Sequence, residues 1–190
     1  MRELAALLAD LPFEIRPLAA VPGASLPEEV GQTYAENALG KARTAAAVTG
    51  ALALGDDSGL EVDALHGAPG VRSARYGGPG LDDAGRCARL LAALADVPEV
   101  ARTARFRCVI ALVSPAGAEH LVEGVAEGRL VSSPRGEGGF GYDPIFYYPP
   151  LARTFAELTK HEKARVSHRA RALAAARQLL TECYTRHFGG

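Results

Sequence analysis

Between residues 103 and 113 the chain alternates, placing Phe106, Cys108, Ile110 and Leu112 on one face of an extended segment. That two-residue period is the mark of a half-buried β-strand. Ser114-Pro115-Ala116-Gly117 follows, a turn with proline in its second position. The chain is then expected to return as a second strand through Val131, giving a long hairpin.

Around the hairpin, helical and extended patterns are interleaved. Leu4, Leu7, Leu8 and Leu11 share one stripe of a helix over residues 2–11, and residues 13–18 read as a strand before a Pro/Gly loop to Gly31. Thr33-x-x-Glu36 has capping-box spacing, so a helix is expected from Thr33 to about Val48, ended by Gly50. The run Ala51-Leu52-Ala53-Leu54 reads as a short buried strand ending in Asp56-Asp57, with Gly59 in the turn beyond. Residues 67–80 form a glycine- and proline-rich loop, and residues 82–95 a helix that turns Leu90, Leu91 and Leu94 inward. Residues 135–142 form a second glycine-rich loop, and a last helix opens near Lys163–Ser167 and runs to about Tyr184. Strands and helices mix without strict βαβ alternation, and no linker or repeat splits the 190 residues. The expectation is one α/β domain with a mixed, partly antiparallel sheet, large enough for a single core or for two small lobes around a cleft.

Charge and cysteine usage narrow the function classes. The net charge is −1, so no broad basic field advertises nucleic-acid binding. The apolar runs are too short to span a bilayer. Met1-Arg2-Glu3-Leu4 has no signal-peptide pattern, and the expected location is cytoplasmic. Cys87, Cys108 and Cys183 are widely separated and odd in number, which suits reduced packing residues better than a zinc site or a disulfide frame. Basic residues are almost all arginine, with lysine only at Lys41, Lys160 and Lys163. A lysine kept in such a chain suits a compact ammonium beside a phosphate.

Three groups could carry chemistry. Paired carboxylates at the edge of a core are costly to bury unless solvated, paired or metal-bound. Asp56-Asp57 therefore suits Mg²⁺, completed by phosphates and water, and equally suits an Asx-turn with a surface salt bridge. Glu36 either closes the capping box or turns outward to share that metal. The segment from Gly136 through Gly138-Gly139-Phe140-Gly141-Tyr142-Asp143-Pro144 lets backbone approach a ligand and offers aromatic faces to a planar base, or is a hairpin exit with Phe140 and Tyr142 in the core. Lys163, with Ser167-His168-Arg169, is either an anion-binding helix start or a solvated basic one.

In order and spacing these segments resemble the inosine triphosphate pyrophosphatases, which cleave non-standard purine nucleoside triphosphates. The matching stretches are Thr33-Tyr34-Ala35-Glu36-Asn37-Ala38 with Lys41-Ala42, Asp56-Asp57-Ser58-Gly59-Leu60, Gly67-Ala68-Pro69-Gly70-Val71 with Ser73-Ala74-Arg75-Tyr76, and Gly138 through Phe146. Glu157-Leu158, Lys163 and Ser167-His168-Arg169 complete them. The resemblance implies an elongated α/β fold: a twisted mixed sheet with flanking helices, two lobes around a central cleft, and a homodimer. It also implies hydrolysis of dITP, ITP or XTP to the monophosphate and pyrophosphate, with Mg²⁺ as cofactor and no nucleic-acid or membrane partner.

Carried over by motif, Asp57 would be the general base and a metal ligand, with Glu36 and Asp56 as further ligands. Ser58, Phe140, Gly141, Tyr142, Asp143, Lys163, His168 and Arg169 would bind substrate: Lys163 on phosphate, and His168 and Arg169 as donors to the purine's six-carbonyl. The family opens with a strand and a Thr/Ser-x-Asn-x-x-Lys phosphate loop. Met1-Arg2-Glu3-Leu4 aligns just after it, so a truncated start is expected, from a misassigned start codon. A non-catalytic nucleotide-binding remnant is the alternative function, and a Maf-like pyrophosphatase is a more distant one.

Overall fold

The computed structural model describes residues 13–188. One α/β architecture emerges, with an antiparallel sheet. Its strands lie in the order β1 (Ala53–Val62), β2 (Thr103–Val113), β3 (Glu119–Leu130), β4 (Phe146–Tyr148) and β5 (Arg153–Thr154). Leu130 faces Phe146 across β3 and β4, and Tyr148 faces Arg153 across β4 and β5. The α-helices among the described residues are α1 (Tyr34–Thr49), α2 (Asp83–Ala93), α3 (Lys160–Val166) and α4 (His168–Phe188). None is long and apolar enough to cross a membrane.

The hairpin of β2 and β3 forms as expected. The Ser114 amide donates to the Ala118 carbonyl at 2.9 Å, and Gly117, at φ 86, donates back to Ser114 at 2.9 Å. Three sequence expectations are corrected. Residues 13–17 are irregular rather than a strand, and Leu18–Ala20 is a single 3-10 turn after Pro17. Side chains there pair locally, as Arg16 does with Glu14 at 2.8 Å, and few are drawn into a core. β1 does not stop at the acids. Leu60 and Val62 are fully buried and draw the strand past Asp56, Asp57 and Gly59. The last helix is two helices, broken where Ser167 is extended (φ −68, ψ 155), so Lys163 sits in the final turn of α3. The expected helix over residues 2–11 lies outside the described residues.

Packing divides the chain into two compact units: Met1–Asp57, Cys108–Gly124 and Arg169–Gly190 in the first, Ser58–Arg107 and Val125–His168 in the second. In the first, Cys108, Ile110 and Leu112 of β2 pack with Ala172, Leu173, Ala176 and Leu180, which recur at helical spacing on α4. In the second, Phe106, Phe146 and Phe155 form an aromatic cluster, with Phe106 4.7 Å from Phe146 and 5.8 Å from Phe155 between ring centroids. Leu60, Val62, Leu90, Leu94 and Ile145 fill in around it. Cys87 and Cys108 are both buried in these cores.

The second unit also buries a cation. Arg102 donates from Nε to the Val97 carbonyl at 2.8 Å and from Nη2 to the Leu94 carbonyl at 3.0 Å. Leu94 is the C-cap of α2, so the guanidinium satisfies carbonyls at the negative end of that helix. Arg102→Met keeps the packing stem and removes the donors. It is expected to lower unfolding free energy by about 3 kcal/mol, read from the urea midpoint, because buried carbonyls are left without partners.

Candidate functional site

In the first unit the site is built where α1 lies against β1. The Thr33 hydroxyl accepts from the Glu36 amide at 3.1 Å, and Glu36 Oε2 accepts from the Gln32 and Thr33 amides at 2.7 and 3.2 Å. This capping box starts α1, and Gly50, at φ 63, ends it. Tyr34, Ala38, Ala42 and Ala46 form the buried stripe, small enough along most of its length for close approach. Gly55 completes the fit: a Cβ there would collide with the Ala38 carbonyl and stand 2.8 Å from the Ala42 amide nitrogen.

That approach brings Asn37 and Lys41, one helical turn apart, to the acids. Asn37 Nδ2 donates to Asp57 Oδ2 at 2.9 Å while its Oδ1 accepts from the Gly31 amide at 2.9 Å, so the amide is oriented from both ends. Lys41 Nζ donates to the Asp56 carbonyl at 2.9 Å and stands 2.5 Å from Glu29 and 3.5 Å from Asp57 Oδ1. Asp57 is only 7% exposed. Burial raises its pKa above the usual carboxylate value, against the opposing pull of the Asn37 hydrogen bond and the Lys41 charge. For Lys41, burial works to lower the pKa, but the Glu29 hydrogen bond and the charges of Asp57, Glu29 and Asp56 outweigh it and hold the ammonium protonated.

Neighbouring side chains on a strand point to opposite faces, and the two acids divide accordingly. Asp57 shares the side of Gly55 and meets α1. Asp56 meets Arg169, whose Nε and Nη2 lie 3.3 Å from its Oδ2. A cavity of about 310 Å³ beside α1 is lined by Glu28, Glu29, Gly31, Glu36, Asn37 and Lys41 among others.

In the second unit the glycine-rich loop is tied down residue by residue. Asp143 accepts from the Phe140 amide at 2.8 Å and forms an ion pair with Lys163 Nζ. The same ammonium lies 4.4 Å from the centre of the Phe140 ring, which is 58% exposed. Tyr142 is buried, with its hydroxyl donating to the Ser73 carbonyl at 2.8 Å, and burial raises the phenol's pKa. His168 is buried and stacks on Phe106 at 4.7 Å with the rings 12° apart. Ser58 is half-buried on β1.

The structure thus joins Asp57 to two residues that did not figure among the expected site residues, Asn37 and Lys41, and through Lys41 to Glu29. Asn37 and Lys41 had a visible signal, the i, i+4 spacing on one helix face. Glu29 had none, since its place depends on an irregular loop. Glu36 spends one carboxylate oxygen on the cap. Lys163, expected on a phosphate, is paired with Asp143, and Arg169, expected at the base, is paired with Asp56.

Magnesium is a test of the acid cluster. Among the described residues no three Asp, Glu, His or Cys side chains stand together as a ready cage. Mg²⁺ needs no such cage when substrate phosphates and water complete its octahedron, and one or two carboxylates suffice. A desolvated Asp57, sharing one ammonium with Glu29, offers such a donor set.

Fold and clusters define an α/β protein with a buried acid–amide–ammonium cluster at Asp57 and a glycine-rich loop tied to Lys163. Residues 1–179 match the Ham1 family. The chain is 50% identical over 184 residues to a dITP/XTP pyrophosphatase of Desulforamulus reducens, covering 97% of this chain and 92% of that protein. It is 52% identical over 174 residues to one from Geobacter sulfurreducens, covering 92% and 87%. A HAM1 protein from Coxiella burnetii superposes with a TM-score of 0.90 at 46% identity, covering 95% of this chain and 92% of that one. The chain belongs to the Ham1 family. The expected loss of an opening strand and phosphate loop concerns the start of the chain, which lies outside the described residues.

Proposed function

We propose that this protein hydrolyses non-standard purine nucleoside triphosphates, dITP, ITP and XTP, to the monophosphate and pyrophosphate. Such a reaction removes these nucleotides before they enter nucleic acids. Family membership supports the reaction class. The observation that carries the chemistry is Asp57, a buried carboxylate oriented by Asn37 and facing Lys41.

Asp57 takes the proton from the attacking water. Its Oδ2 is held by Asn37, which leaves Oδ1 on the Lys41 side to receive it. Lys41 keeps Asp57 ionised and adds positive charge where phosphate oxygens gather negative charge. Asp57 and Glu29 would hold Mg²⁺, with Glu36 as an outer carboxylate, while Asp56, on the opposite face of β1, is held by Arg169 instead; when bound, the ion neutralises charge on the phosphate oxygens. Phe140 offers its exposed ring to the base, and the loop through Gly141, Tyr142 and Asp143 encloses it. Lys163 fixes Asp143 and stiffens Phe140 from beneath. His168 and Arg169 present donors to a six-carbonyl and reject the amino group that adenine carries there. Ser58, next along β1 from Asp57, contacts the substrate.

The test is pyrophosphate release from dITP with Mg²⁺, compared with dATP. Release from dITP at a kcat/KM at least about 100-fold above dATP is expected, since an unpaired buried donor discriminates strongly. No release from dITP, ITP or XTP would end this reading. His168→Ala and Arg169→Ala are each expected to cost about tenfold more with dITP than with dATP, and equal losses on both would show that neither side chain reads the base.

A further inference from the structure

The loop proposed to hold the base is rich in residues that cannot hold themselves. Gly136, Gly139 and Gly141 all have left-handed φ values, 83, 76 and 60. Glycine adopts such backbone freely, so it also leaves it freely, and bonds from outside must select one conformation. Two of those bonds come from one face of α2. Asp83 Oδ2 accepts from the Gly141 amide at 2.7 Å, and the Cys87 thiol donates to the Gly141 carbonyl at 3.3 Å. Residues four apart on a helix lie one above the other, so a single face grips the peptide units on both sides of the Gly141 Cα. Asp83 is itself steadied by Arg86, whose Nη1 lies 3.2 Å from Oδ1. Burial pushes the Cys87 thiol up to about 11, so it retains the proton it donates.

We propose that Asp83 and Cys87 are positioning residues that clamp Gly141, and so fix the exposed Phe140 ring and the loop for purine binding. Neither touches the reacting atoms. The clamp matters for holding and choosing the base, and this part of the inference rests on the function proposed above. Its effect falls on KM and base preference, and kcat is set elsewhere, by Asp57.

The experiment has one readout that needs no substrate. Amide exchange over residues 139–143 is compared in wild type, Asp83→Ala and Asp82→Ala. Asp82 is the N-cap of the same helix, accepting from Gly85 at 2.8 Å, and makes no bond to the loop. Asp83→Ala is expected to speed exchange in the loop about tenfold and Asp82→Ala to leave it unchanged, though both loosen the helix. With dITP, Asp83→Ala is expected to raise KM about tenfold with kcat within about twofold, and to narrow the preference over dATP. Asp83→Asn keeps an acceptor oxygen and restores most of the loss. Cys87→Ser keeps a donor and retains KM better than Cys87→Ala.

Unchanged loop exchange in Asp83→Ala overturns the clamp. So does a KM change in Asp82→Ala as large as in Asp83→Ala. If the exchange results hold but wild type releases no pyrophosphate from any purine triphosphate, the proposed function falls and takes the base-holding role with it.

Discussion

Asp57→Asn is expected to lower kcat for pyrophosphate release by about 10³-fold or more, with the dissociation constant of a non-hydrolysable nucleotide analogue changed by less than about threefold. The substitution is nearly isosteric and removes a buried charge that burial already disfavours. Folding is therefore not the casualty. What is lost, on the proposed mechanism, is the acceptor for the water's proton. A carboxylate can accept from Asn37 at Oδ2 and face Lys41 with Oδ1, whereas an amide has one oxygen and must turn its amino group toward one of these donors. The variant thus loses the base and disturbs the Lys41 ammonium together. The loop around Phe140 proposed to hold the base keeps its own bonds, from Asp83, Cys87 and Lys163. Steady-state turnover with Mg²⁺ and titration calorimetry with the analogue separate the two effects. Turnover within tenfold of wild type would remove Asp57 from the role of base.

How much of this could be read from residues alone varies element by element. The β2–β3 hairpin was legible because alternation and a proline turn are local signals that tertiary packing reinforced. The start of α1 was legible because Thr33 and Glu36 satisfy each other without outside help. The strand through Asp56 and Asp57 was read too short. Two acids and a glycine look like a turn, and only the burial of Leu60 and Val62 beyond them continues the strand. The opposite directions of the two acids follow from that continuation and were invisible without it. Ser167 was missed as a helix break because the residues on both sides favour helix. The scarcity of lysine drew attention to Lys41 and Lys163 as partners of phosphate, and the structure pairs them with carboxylates, Lys41 with Glu29 and Asp57 and Lys163 with Asp143. Glu29 could not be read, because an irregular loop leaves no periodicity by which to place it. Asp83 and Cys87 showed a helix, but nothing in their spacing says which distant backbone they hold.

The second large effect is expected at a residue with no side chain. Gly55→Ala should cost about 3 kcal/mol of stability and about 100-fold in kcat, because the new methyl meets backbone on α1, the Ala38 carbonyl and the Ala42 amide, and backbone cannot rotate away. The helix must shift off the strand, and Asn37 and Lys41 move with it. Gly40→Ala is the counterpart on the same helix. A Cβ there meets nothing within 4 Å, and alanine is the better helix former, so it is expected to stabilise by about 0.5–1 kcal/mol with little change in turnover. Two glycine-to-alanine changes within one helix–strand unit should therefore move the urea midpoint in opposite directions, and only the one facing the strand should slow the chemistry. If Gly55→Ala keeps wild-type kcat while losing stability, then the distance from Lys41 and Asn37 to Asp57 does not limit the reaction. If it keeps both, α1 does not need to lie this close for either purpose.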